Sequence, residues 1–298
     1  MTIAWLFPGQ GSQKSGMANS VIDLEGAKER FECFSNILKR DLLEICSNTE
    51  IQDNQDLNLN NTKNTQPALF IVESILLDAL KKQGRLPSIV AGHSLGEITA
   101  LYAAEVLSLE DCFNLINLRS KLMSECSEGS MAAIIGFNRE ELVELINNSE
   151  DIVLANDNSD MQVVVSGTTK AISLISENIK CKKFIELNVS GAFHSPFMKD
   201  AADKVSVFLD KISFKNPIVP VISNSNPTLT TDPQELKFRL RNQMCNGVRW
   251  RETMKVLESN EISTFLEIGP GNVLTGIAKR SVKGINLIQI SNKDDLGY

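Results

Sequence analysis

The chain has 298 residues with 30 Lys and Arg against 37 Asp and Glu, a formal charge of −7, which excludes a nucleic-acid or anionic-membrane surface as its main partner because either needs a concentrated basic excess. At 42% hydrophobic and 22% charged residues it is too apolar for intrinsic disorder, and about 300 residues can bury roughly 75% of their unfolded surface, enough for one large domain or two unequal ones. The six cysteines are scattered without a CxxC pair or a histidine at zinc-ligand spacing, so neither a disulfide framework nor a metal site is indicated.

The apolar run Ile3 to Phe7 ends in Pro8-Gly-Gln-Gly-Ser12 and predicts a buried strand feeding a glycine-rich loop. Val21 to Cys46 reads as helix and the Asn-rich stretch Asn54 to Asn64 as a surface loop. Pro67 is expected to open a helix whose apolar residues recur at helical spacing up to Gly84. A strand at Ser88 to Ala91 runs into Gly92-His-Ser-Leu-Gly-Glu97 and an Ala-rich helix ending near Ala104. Ser108 and Asp111 form a capping box for the helix that carries Arg119.

From Ser130 the rhythm changes. Strand (131–137), helix (139–147), strand (152–156), strand (162–166), helix (170–179) and strand (184–189) give the βαββαβ order of a ferredoxin-like unit. The chain then resumes as α/β: a helix up to Leu209, a strand at Val219 to Ser223, helices at 236–244 and 253–257, a strand at Thr264 to Ile268, a further helix and a last strand at Ile285 to Ile290. The expected fold is therefore α/β, a hydrolase-like domain with a mainly parallel sheet (1–128 and 195–298) interrupted by a small ferredoxin-like subdomain (129–194). The N-terminus has no basic stretch ahead of its short apolar run, and no apolar segment approaches the length of a bilayer span, so a cytoplasmic location is expected.

Gly92-x-Ser94-x-Gly96 between a strand and a helix has the pattern of a nucleophile elbow, in which small flanking residues permit a turn that lifts the serine hydroxyl out of the sheet. The alternative is a tight turn whose serine caps the following helix. A serine needs a base, and the chain has two histidines. His93, adjacent to Ser94, should project away from the hydroxyl. That leaves His194, where the small unit returns to the large one. The loop Phe7-Pro-Gly-Gln-Gly-Ser-Gln13 allows close backbone approach to a ligand, and no Walker lysine follows it.

Taken together, Phe7-Pro-Gly-Gln-Gly-Ser-Gln13, Thr65-Gln-Pro-Ala68, Gly92-His-Ser-Leu-Gly-Glu97, Gly191-Ala-Phe-His194 and Glu267-Ile-Gly-Pro-Gly271 resemble the malonyl-CoA:acyl carrier protein transacylase family, in the family's order and over nearly the whole chain. The resemblance implies that Ser94 is acylated, that His194 is its base, and that the backbone amides of Gln10 and Leu95 form the oxyanion hole. It further implies that Arg119 holds the malonyl carboxylate, that the main-chain carbonyl of Gln243 orients His194, and that Gln66 and Asn156 line the pocket. Malonyl-CoA and acyl carrier protein are the implied partners, with no metal or resident cofactor, and a monomer is expected. Phe193 resembles the malonyl-selective form of its motif. Ile98 stands where the family often has an aromatic, which would alter the pocket wall, and Asp157-Asn-Ser-Asp160 is unusually acidic. A stand-alone loading acyltransferase of a polyketide system and a serine hydrolase share the same elbow. An acidic carrier protein would need a basic patch, for which Lys182, Lys183, Arg249, Arg251, Lys279 and Arg280 are candidates.

Overall fold

The structure, a computed structural model, describes residues 2–48 and 56–297. It opens with β1 (Ile3–Phe7), α1 (Ala27–Leu38), α2 (Leu42–Ser47), α3 (Thr62–Lys82), β2 (Ile89–Gly92), α4 (Gly96–Ala103) and α5 (Leu109–Glu125). An inserted run follows: β3 (Ser130–Phe137), α6 (Arg139–Asn147), β4 (Ile152–Ser159), β5 (Gln162–Gly167), α7 (Thr169–Asn178) and β6 (Cys181–Glu186). The chain then completes α8 (Lys199–Lys211), β7 (Val221–Ile222), β8 (Leu229–Thr230), α9 (Pro233–Asn242), α10 (Trp250–Ser259), β9 (Thr264–Ile268), α11 (Val273–Ser281) and β10 (Asn286–Ile290).

The larger sheet has the order β10-β9-β1-β2-β7-β8, and only the short β8 runs antiparallel to its neighbour. Its central strands are apolar on both faces because helices cover both. Trp5 and Phe7 point into a core shared with α3, α4 and α5, whereas Ala4 and Leu6 point into a second core built with Trp250, Met254 and Leu257 of α10 and Leu274 and Ile277 of α11. Glu267, at the end of β9, accepts hydrogen bonds from the amides of Leu274 and Thr275 at the N-terminus of α11, fixing that helix to the strand. Among the described residues no helix is long and apolar enough to cross a membrane.

The inserted segment forms a separate antiparallel sheet in the order β4-β5-β3-β6, the ferredoxin-like arrangement, with its own core around Ile134, Leu142, Val163, Val165 and Ile172. Its edge strand β4 is also stitched to the larger unit. Asn156 bridges Val248; the Asp157 amide donates to the Val248 carbonyl at 2.9 Å, and the Val248 amide to the Ala155 carbonyl at 2.8 Å. The buried carboxylate of Asp157 lies 2.9 Å from both Arg139 of the small unit and Arg251 of the large one. That linkage accounts for the acidic character of the 157–160 segment.

Several boundaries differ from the sequence reading. The helix expected over 21–46 is broken, because Gly26 and Lys39 adopt positive φ and Asp41 caps a new start at α2. Residues 54 and 55 of the expected Asn-rich loop lie outside the described residues, and its end, Thr62 to Asn64, is already helical. Pro67 therefore sits inside α3 rather than opening it. The Lys63 carbonyl that its missing N–H would have served accepts instead from Arg40 Nη2 at 3.2 Å. The last inserted strand lies three residues earlier than expected. Its exposed edge position leaves little apolar alternation to read, and its register is set by pairing with β3 from Phe137↔Cys181 to Ala132↔Glu186.

The β1 loop and the turn after β2 touch backbone to backbone. A Cβ on Gly96 would stand 2.1 Å from the Phe7 carbonyl oxygen, and one on Gly9 would stand 2.4 Å from the His93 carbonyl oxygen. Side chains there require one backbone to retreat. Gly96→Ala should consequently lose about 3 kcal/mol of stability in urea unfolding, whereas Gly276→Ala, whose added methyl meets no close atom, should lose far less.

Candidate active site

Ser94 sits at the turn from β2 to α4 with φ of 52°, a left-handed conformation unusual for a residue with a side chain. The turn is held by Asn224, which follows β7. Its Oδ1 accepts from the Ser94 amide at 2.6 Å while its Nδ2 donates to the Gly92 carbonyl at 2.5 Å. The Ser94 hydroxyl faces His194 Nε2 at 2.7 Å. His194 also has positive φ and lies on the segment returning from the small sheet. Its Nδ1 is 3.1 Å from the Gln243 carbonyl oxygen and 3.2 Å from that of Asn246. Both partners only accept, so Nδ1 carries the hydrogen and Nε2 presents its lone pair to the serine.

His194 is buried. Desolvation, reinforced by the positive charge of Arg119, lowers its pKa to about 3, so the imidazole is neutral and able to accept a proton at neutral pH. His93 points the other way, with Nε2 at 2.8 Å from Asn158 Oδ1 and its ring edge-on to Trp250; burial lowers its pKa as well.

Arg119, on α5, is 2% exposed and reaches the same hydroxyl, with Nη2 at 3.1 Å from Ser94 Oγ. Its other partners are neutral: Gln66 Oε1 at 2.5 Å and Gln243 Oε1 at 3.1 Å. Its Nε has no partner, and among the described residues no carboxylate forms an ion pair with it. Burial lowers its pKa to about 10, which still leaves the guanidinium charged at neutral pH. Glu97 bears on this charge only from behind Gln243, and a buried cation whose direct partners are all neutral is expensive in free energy unless an anion completes it.

The amides of Gln10 and Leu95 donate to no acceptor among the described residues, and Leu95 immediately precedes α4, so its N–H lies at the positive end of that helix. Gln66 holds Arg119 and in turn donates to Thr62, whose hydroxyl donates to Gln10 Oε1. Asn156 lines the same cleft and leaves its Oδ1 buried without a partner. The cleft, about 100 Å³, lies between Ser94, His194, Arg119, Gln66, Asn156 and Phe193, and Gln10 and Leu95 border it too, so every residue given a catalytic or substrate-binding role from the sequence except Gln243 lines one space. Gln243 stands immediately behind it. Ile98 is not part of that wall: it is fully buried in the core beneath α4, correcting the expectation that it would reshape the pocket.

Three features were not anticipated. Asn224 holds the elbow. The side chain of Gln243, in addition to its carbonyl, donates to the Ser94 carbonyl and to Glu97 Oε2, each at 2.9 Å. Glu97, buried and with its pKa raised by that burial, also accepts from the Asn224 amide at 3.1 Å. The available signal was the polar Ser223-Asn-Ser-Asn226 run at the carboxyl end of a strand next to β2, the edge where open parallel sheets place their sites.

The pKa of His194 has a measurable consequence. Its folded value lies below the unfolded 6.5, so as pH falls from 6.5 the unfolded chain binds a proton that the folded chain refuses, and stability is lost. The stability advantage of the native protein over His194→Gln should therefore shrink by about 2 kcal/mol between pH 7 and pH 5 in paired urea titrations. A constant difference across that range would mean that the imidazole protonates in the folded state.

Residues 4–293 match the acyl transferase domain family. The malonyl CoA-acyl carrier protein transacylase of Synechocystis sp. is 42% identical over 99% of both chains, and its crystal structure superposes with a TM-score of 0.95, covering 100% of this chain and 99% of that one. A malonyl-transacylase solved in complex with a type II polyketide acyl-carrier protein is 32% identical, with a TM-score of 0.90 over 99% of this chain and 98% of that one.

Proposed function

The chain belongs to the malonyl-CoA:acyl carrier protein transacylase family, and from that premise we propose that it moves malonyl groups through an ester on Ser94, with His194 as the base for both halves of the reaction. The enzyme is an acyltransferase that passes malonyl from malonyl-CoA to the phosphopantetheine thiol of acyl carrier protein, supplying fatty-acid synthesis. The observation that carries the choice of acyl group is the buried guanidinium of Arg119 beside the serine hydroxyl, whose direct partners are all neutral. A carboxylate two carbons from a thioester carbonyl completes it, and a planar fork receives that carboxylate bidentately.

In the proposed sequence Ser94 Oγ attacks the thioester carbon as its proton passes to His194 Nε2. The negative oxygen of the tetrahedral adduct accepts from the Gln10 and Leu95 amides. Collapse breaks the carbon–sulfur bond, and the departing CoA sulfur takes the proton from His194. The carrier thiol next gives its proton to His194 and attacks the ester; collapse returns that proton to Ser94 Oγ and releases malonyl carrier protein. The Gln243 and Asn246 carbonyls, which hold Nδ1–H, stabilise the imidazolium that forms in each half. Gln66 keeps Arg119 aimed into the cleft, and Asn156 closes its far wall.

In this reading the cleft lies between the catalytic unit (1–128 and 195–298) and the inserted unit (129–194), and a monomer suffices because every group comes from one chain. The chemistry requires no metal or resident cofactor, and a cytoplasmic setting suits both substrates. A polyketide carrier is the alternative acceptor, and the structure in complex with such a carrier protein keeps it in view. A serine hydrolase is less well supported, since among the described residues backbone carbonyls rather than a carboxylate receive His194 Nδ1. Of the cations expected to meet an acidic carrier, Arg249 and Arg251 are already engaged by Glu252 and by Asp157 and Asp160, which leaves Lys182, Lys183, Lys279 and Arg280 exposed.

Incubation with malonyl-CoA should add one malonyl mass to the native protein and none to Ser94→Ala; a malonyl adduct persisting in the folded variant would refute the serine ester. Arg119→Ala should lose about 2 to 5 kcal/mol of transition-state stabilisation for malonyl, roughly thirty-fold to several-thousand-fold in kcat/KM, while acetyl transfer holds level or rises. Equal losses for the two acyl groups would return Arg119 to a structural role.

A further inference from the structure

The Arg119 guanidinium and the His194 imidazole approach the same oxygen. Ser94 Oγ lies 3.1 Å from one and 2.7 Å from the other. A proton arriving on His194 thus forms a second positive charge beside one whose direct partners are all neutral and which Glu97 offsets only from behind the Gln243 carboxamide. The charged and titratable groups that bear on the imidazole are few: Arg119 from α5 and His93 from the elbow, both opposing its protonation, while Glu97 from α4 acts on Arg119 from behind the Gln243 carboxamide. In the free enzyme the field at His194 is accordingly positive. It suppresses premature protonation, and it also makes the imidazole a weak acceptor for the serine proton.

We propose that the malonyl carboxylate strengthens its own general base: by pairing with Arg119 it cancels the positive charge facing His194, so that malonyl readies the imidazole for the Ser94 proton and acetyl does not. The inference rests on the reading of Arg119 as the carboxylate's partner. It adds that discrimination is expressed in the chemical step as well as in binding. Because the carboxylate stays on Arg119 after the ester forms, the same base is available when the carrier thiol arrives. It also gives a cause for retained or increased acetyl transfer once Arg119 is removed, since deletion of the charge relieves His194 without any carboxylate.

The chain's two histidines make the test direct, as ¹⁵N-histidine labelling reports only two imidazoles, assigned with a His93→Gln variant. The probe is malonyl-enzyme, prepared with malonyl-CoA and freed of CoA, titrated beside the unmodified enzyme and beside unmodified Arg119→Met. The His194 titration should move up by at least about one pH unit in malonyl-enzyme and likewise in Arg119→Met, with His93 little changed. A malonyl-enzyme that titrates no higher than the free enzyme overturns the proposal, and so does an Arg119→Met protein, folded by the same spectra, whose His194 stays at the native value. Should Arg119→Met not fold, the native pair of samples still decides. Absence of the malonyl mass on Ser94 is a separate result and counts against the serine ester itself.

Discussion

Backbone touching backbone, between the loop after β1 and the turn after β2, is the constraint on which the site depends. With no Cβ at Gly9 or Gly96, the Phe7 and His93 carbonyls come within reach of positions that any other residue would fill. The contact brings the Gln10 amide from one strand and the Leu95 amide from its neighbour to the same cleft, and Asn224 secures the turn from the third strand. Adjacent parallel strands β1, β2 and β7 thus each contribute one element at their carboxyl ends. The left-handed conformation of Ser94 persists because both of its flanks are fixed.

Behind this frame lies a buried chain of polar groups whose directions are mutually determined. Glu97 can accept from Gln243 and Arg119 can only donate to it, so the Gln243 carboxamide has one orientation, with Nε2 toward Glu97 and Oε1 toward Arg119. The same residue's carbonyl fixes the His194 tautomer. Base, cation and nucleophile turn share a single neighbour, which makes the arrangement rigid and makes its free-energy contributions non-additive. The neutral character of the groups that touch Arg119 is as important as their number. A carboxylate in place of Gln66 would satisfy Arg119 permanently and leave nothing for an anionic substrate to complete.

How much of this was legible in the sequence depended on whether a feature was local. The bounds of β9 and α6, the elbow, and the ferredoxin-like order of the insert follow from patterns within a few residues, and they stand in the structure where the pattern puts them. Pro67 misled because its cost inside α3 is relieved by Arg40, far away in the chain. The edge strand β6 misled because exposure removes the alternation that marks a strand. The serine, histidine and arginine were legible from chemistry and resemblance together. Asn224, Glu97 and the Gln243 side chain were not, because the hydrogen bonds through which each acts reach partners more than a hundred residues away, and the polar run around Asn224 marks a sheet edge without saying what it holds.

The acceptors for His194 Nδ1 belong to the peptide chain itself rather than to side chains. A carbonyl is encoded by every codon, so point substitution at 243 or 246 does not delete it. Deletion or insertion of a single residue between α9 and Val248 does, since it turns the carbonyls away from the ring. The orientation of the base is therefore tolerant of changes in spelling and intolerant of changes in length. A search for this third member by residue type, across however many sequences, has no letter to find.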